Sequence, residues 1–142
     1  MLVGTAFACS WEVTVRVREV AVLRNQATGR QSGAKVSATI CLSTQRMCLD
    51  TARYCTELGG KYAERQFIRL LLDTAALCHT TMDTIYRTNW IRNHTTSACA
   101  AMCARVAEAC DNFPGDEQMM RCARLCRDCV KFCVEVNTVT LA

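Results

Sequence analysis

Proline occurs once in the 142-residue chain, as Pro114, and glycine only six times. So few breakers exclude a loop-rich or turn-rich fold and favour long helices over sheet. No apolar run approaches the ~20 residues that a helical membrane span needs. Leu2 to Ala8 is apolar, but it is too short for a signal core and no basic residue precedes it. No twin-arginine pair occurs, and a lipoprotein-type site at Cys9 fails on the same grounds. Export is therefore not expected, and the reading is cytoplasmic. No Lys/Arg run exists and the net charge is only +4, which argues against nucleic acid as a partner. There is no Ser–His–Asp arrangement, no phosphate loop and no carboxylate pair beside the cysteines, so the chain is not read as an enzyme. Asp73 and Asp83 read as surface charges.

What the chain has is cysteine, twelve of them. In a reducing compartment, clustered cysteines more often mean metal or redox chemistry than a disulfide scaffold. The densest stretch is C-A-R-L-C-R-D-C-V-K-F-C, Cys122 to Cys133. Its intervals of four, three and four residues are those of one face of an α-helix. Ala123, Arg124, Arg127, Asp128 and Lys131 then belong to the outer face.

The same pattern extends along residues 36–137. A first helix over 36–58, stopped by Gly59-Gly60, repeats Cys41, Cys48 and Cys55 every seven residues. A second, over about 61–88, carries the stripe Phe67, Leu71, Thr74, Cys78, Met82 and Ile85. Asn89 to Thr96 reads as a polar connection, with Thr95 or Thr96 placed to cap the third helix. That helix, 97–112, aligns Cys99, Cys103, Val106 and Cys110. Phe113-Pro114-Gly115 reads as a turn and Asp116 as the cap of the fourth helix. Met119, Cys122, Cys126, Cys129, Cys133 and Val136 follow on one stripe, and the tail begins at Asn137.

Four helices with short connections and one apolar stripe each predict an all-α, antiparallel four-helix bundle with a cysteine-lined core. Residues 1–35 read as a flexible or strand-like extension. Trp11 to Arg18 alternates apolar and polar residues, and Asn25 to Ala34 resembles a linker.

Disulfides within a helix are disfavoured, because Cβ atoms at i and i+4 stand about 5–6 Å apart against the 3.5–4.5 Å a disulfide wants. Bridges between helices stay open, so a disulfide-stabilised interaction module without metal is one reading. Zinc sequestration is another, although the one C-x-x-C, Cys126 to Cys129, lies mid-helix rather than in a knuckle. A soft monovalent ion that accepts two or three thiolates, Cu(I), suits a line of thiols better. Two-coordinate sites along one helix face are the expectation, with the fourth helix paired chiefly to the third.

From about Val36 to Val136 the chain resembles the four-helix-bundle copper storage proteins of bacteria. The resemblance is strongest in C-A-A-M-C-A-R-V-A-E-A-C (Cys99 to Cys110) and in the Cys122 to Cys133 stretch. It implies storage of several Cu(I) ions per chain by Cys41, Cys48, Cys55, Cys78, Cys99, Cys103, Cys110, Cys122, Cys126, Cys129 and Cys133. It also implies a homo-oligomer, commonly a tetramer. Family members carry more cysteine on the first two helices, where Gln45 and Ala52 occupy positions at which further thiols would be expected. Met82 and Met119 are core fillers or extra thioether ligands. His79 and His94 are read as non-ligands. Trp90 and Ile91 read as an end plug or an oligomer contact.

Overall fold

The computed structural model describes the backbone of residues 17–87 and 90–140, and the side chains of 38–87 and 90–138. Four helices make it up: α1 (Val17–Leu58), α2 (Arg65–Thr84), α3 (Trp90–Cys110) and α4 (Glu117–Thr140), with a 3-10 turn at Gly60–Ala63. No strand occurs among the described residues. Each helix packs on two neighbours, α1 on α2 and α4, and α3 on α2 and α4. The fold is a four-helix bundle in sequential order, as the stripes predicted.

α1 is already helical at Val17, well before Val36. The stretch Asn25 to Ala34, read as a linker, is part of this helix. Gly29 and Gly33 each cost a helix about 1 kcal/mol against alanine, but without proline nothing there forbids helical geometry. The strand-like pattern from Trp11 falls mostly outside the described residues, and its last two members, Val17 and Arg18, are helical.

The end of α1 follows the sequence signal. Gly59 and Gly60 have φ of 69° and 55°, a region open to glycine at little cost. The Gly59 N–H donates to the Cys55 carbonyl at 3.1 Å. Asp116 caps α4 as expected, its Oδ1 accepting from the Met119 N–H at 3.0 Å.

The start of α3 differs. Trp90 is already helical, so Thr95 and Thr96 lie inside the helix and cap nothing. Both are buried. Their hydroxyls donate back to the carbonyls of Ile91 (3.0 Å) and Arg92 (2.8 Å), the local bond that lets threonine sit inside a helix. Asn137, read as the start of a tail, lies within α4 and accepts from the Thr96 hydroxyl at 2.6 Å. Trp90 is 70 % exposed, so it does not plug the bundle end.

Two different closures bound the core. At the end where α1 stops, Tyr62 stacks on Phe113 with centroids 4.6 Å apart, and Phe113 on Phe67 at 5.7 Å. Tyr54 meets Tyr62 edge-on and donates to Asp116 Oδ2 at 2.9 Å. Such ring pairs contribute about 0.5–1.5 kcal/mol beyond their buried area. At the opposite end the seal is made of hydroxyls. Thr84 and Thr95 share a 2.8 Å hydrogen bond, and Thr81 donates to the Thr95 carbonyl.

Candidate metal centre

α1 presents Cys41, Thr44, Cys48, Thr51 and Cys55 to the interior. These are steps of three and four, the inward face of a helix. The positions between the cysteines are therefore the threonines. Gln45 is only half-buried, and Ala52 is buried beside Thr51. Each threonine is satisfied within its own helix, Thr44 to the Ile40 carbonyl at 2.9 Å and Thr51 to that of Met47 at 2.7 Å. α2 continues the pattern with Thr74, Cys78 and Thr81. Thr81 takes the inward place that the sequence stripe assigned to Met82, which lies half-buried at the core margin. α3 supplies Cys99, Cys103 and Cys110, and α4 supplies Met119, Cys122, Cys126, Cys129 and Cys133. Ala123, placed on the outer face by its spacing, is buried as well. Cys9 lies outside the described residues.

All eleven cysteines from Cys41 to Cys133 are free and buried. None is more than 2 % exposed. Among the described residues there are three groups whose sulfurs all lie within 4.8 Å of one another. Cys41, Cys99, Cys129 and Cys133 form one, and Cys78, Cys99, Cys103 and Cys129 another. Cys48, Cys122 and Cys126 form the third. Cys55 and Cys110 belong to none of these. Cys110 is still influenced by Cys122, which raises its pKa.

The sulfurs thus meet both along a helix face, as Cys99 with Cys103, Cys122 with Cys126 and Cys129 with Cys133, and across helices. The Cys78–Cys99 pair is 3.6 Å apart, Cys78–Cys103 3.9 Å and Cys99–Cys129 4.0 Å. A metal–sulfur bond of about 2.3 Å puts two sulfurs about 4.6 Å apart when they face each other across a linear site. Around a trigonal site they stand about 4.0 Å apart, and around a tetrahedral one about 3.8 Å. The three separations of 3.6, 3.9 and 4.0 Å fall near the trigonal and tetrahedral values. α4 contributes to every group, but its partners include α1 as well as α3.

Burial and crowding shape the acidity of these thiols. Burial pushes Cys55 up to about 11. Cys78 is raised by its bonds to Cys103, Cys129 and Cys99 together with burial, and Cys41 is raised chiefly by its bond to Cys129. Cys48 and Cys110 are each raised by a bond to Cys122. Cys129 moves the other way, because Cys103, Cys133, Cys41 and Cys78 all hydrogen-bond to its thiolate. Cys99 is lowered first by Cys103, and Cys122 first by Cys110. Cys99 and Cys129, common to both four-thiol groups, and Cys122 are thus the sulfurs favoured to ionise, with neighbouring thiols as donors.

Two contributors were not singled out in the sequence. Gln118 donates from Nε2 to the Thr51 hydroxyl at 3.0 Å and to Met47 Sδ at 3.6 Å. Thr51 in turn helps to lower the pKa of Cys122. Continuing the steps of three and four between Cys48 and Cys55 would have found Thr51. Gln118 carries no local signal, because its role depends on α1 lying alongside α4. Neither histidine belongs to a sulfur group. His79 is exposed beside Asp83 at 3.7 Å, and His94 lies edge-on to Trp90. Asp73 and Asp83 are on the surface, as expected.

No helix among the described residues is long and apolar enough to cross a membrane. No curated protein matches the chain significantly. Among solved structures, the chain is similar to the Nmul_A1745 protein from Nitrosospira multiformis, with 25 % identity and a TM-score of 0.69. That match covers 77 % of this chain and 98 % of the other. The model of the copper storage protein family, Csp, matches residues 22–138. A bundle whose interior is walled with free thiols, matched by that model over most of its length, belongs to the copper storage protein family.

Proposed function

We propose that this chain binds and stores several Cu(I) ions through thiolates of the eleven core cysteines, as a non-enzymatic reservoir. The observation that carries the reading is the set of three sulfur groups packed within 4.8 Å inside a buried core. Soft thiolates select Cu(I), and sulfurs at about 4 Å suit a three-coordinate ion. A thiolate shared by two ions limits the negative charge left in the interior, which would otherwise be costly. Met119, fully buried in the first turn of α4, supplies a thioether at one end of the wall. Met82 stands at the margin of the core.

Binding converts thiols to thiolates and releases protons, so affinity falls as pH falls. The reading places the protein in the cytoplasm, where thiols stay reduced, and as a homo-oligomer, a tetramer by family resemblance. Titrating the reduced, metal-free protein with Cu(I) against a competing chelator tests the storage role. The expected result is several ions bound per chain. Saturation below two would defeat storage.

A further inference from the structure

The two four-thiol groups have Cys99 and Cys129 in common. Their union is Cys41, Cys78, Cys99, Cys103, Cys129 and Cys133. The two four-sulfur sets share one edge, the 4.0 Å Cys99–Cys129 contact. The Cys78–Cys99 and Cys78–Cys103 edges, at 3.6 and 3.9 Å, bracket the edge of about 3.8 Å that a tetrahedral tetrathiolate with bonds of about 2.3 Å requires. We infer that this half of the core is also a dinuclear site for a tetrahedral divalent ion of the zinc class, with Cys99 and Cys129 as the bridging thiolates.

Charge favours that occupant. Two divalent ions over these thiolates leave a net charge of about −2, where two monovalent ions over the same fully ionised set leave about −4, and buried charge is costly. No Lys or Arg is among the buried residues described to offset it. The other half of the core differs. Cys48, Cys122 and Cys126 make a group of three among the described residues. Three thiolates suit a trigonal monovalent ion and leave a tetrahedral one a ligand short. Sets of four mutually close thiols are thus found, among the described residues, only around Cys99 and Cys129.

Co(II), which reports tetrathiolate coordination through its visible d–d bands, is the probe. The reduced, metal-free full chain is titrated without oxygen, and Zn(II) is then added to displace the cobalt. The tetrathiolate signal is expected to saturate at two Co(II) per chain. Cys78→Ser removes a ligand from one tetrahedron and should leave one. Cys129→Ser removes a ligand from both and should leave none. Cys122→Ser should keep both. The wild-type titration does not depend on how any variant folds. Saturation at any value other than two overturns the inference, as does a loss in Cys122→Ser equal to that in Cys129→Ser. Cu(I) capacity is measured separately on the same preparation, so a failure here leaves the copper reading intact.

Discussion

At the scale of single residues, Asp116 joins several functions in one carboxylate. It caps α4 through the Met119 N–H and anchors Tyr54. Burial works against its charge, but the bonds from Met119, Tyr54 and Tyr62 outweigh it and hold the carboxyl below its ordinary value. Replacing Asp116 with alanine should destabilise the reduced, metal-free protein by about 1–2 kcal/mol, the usual worth of a cap. Asn, which can still cap, should recover most of it. Urea denaturation of the three proteins measures both. An alanine variant as stable as the parent would show that the aromatic cluster closes this end unaided.

The threonines are the other lesson at this scale. Thr44, Thr51 and Thr74 occupy the same inward face as the cysteines but satisfy their hydroxyls on the preceding turn. They fill the space of a small side chain without adding a charge to be buried. Only a full inward stripe, with every step of three and four followed, separates them from surface polar residues.

Among the elements, α4 is the principal wall. Cys122, Cys126, Cys129 and Cys133 contribute to every sulfur group, whereas α1 gives one sulfur to each of two. Joint replacement of Cys126, Cys129 and Cys133 by serine should therefore remove more Cu(I) per chain than replacement of Cys41 and Cys48. Copper quantified after gel filtration of each loaded variant would decide this, and equal losses would refute the ranking. The elements also show where reading by element stops. The caps at Gly59 and Asp116 are local chemistry and were legible. The early start of α3 was not, because polar Asn93, Thr95 and Thr96 look like a connection until the back-bonds of the threonines are seen.

For the whole molecule, stability and metal loading are linked through the thiols. Without metal, protonated cysteines pack as small apolar groups, so the bundle should be helical by circular dichroism near neutral pH. Its stability should then fall as pH rises from about 9 through about 11. Cys55 has its folded acidity shifted up to about 11 from an ordinary 9.0. The unfolded chain therefore sheds this proton first, and the stability present below pH 9 is lost as pH climbs through the folded value. Cys48, Cys78 and Cys110 shift in the same direction. Thermal melts of the reduced protein across that range are the measurement. A flat profile would mean that water reaches these thiols.

The sequence by itself determined the helical class, the stop at Gly59-Gly60, the cap at Asp116 and the inward placement of the eleven cysteines. Those follow from periodicity and local backbone chemistry, which act within a turn or two of helix. It could not determine which sulfurs meet. Spacing within one helix pointed to pairs at i and i+4, and each observed group holds one such pair, but the sulfurs that join it come from one or two other helices. The choice of Cys99 and Cys129 as shared corners, the entry of Thr51 and Gln118 beside Cys122, and the tie from Thr96 to Asn137 arise only from how the helices lie against each other. Coordination number depends on distances between separate elements, and those are set by packing, not by sequence interval.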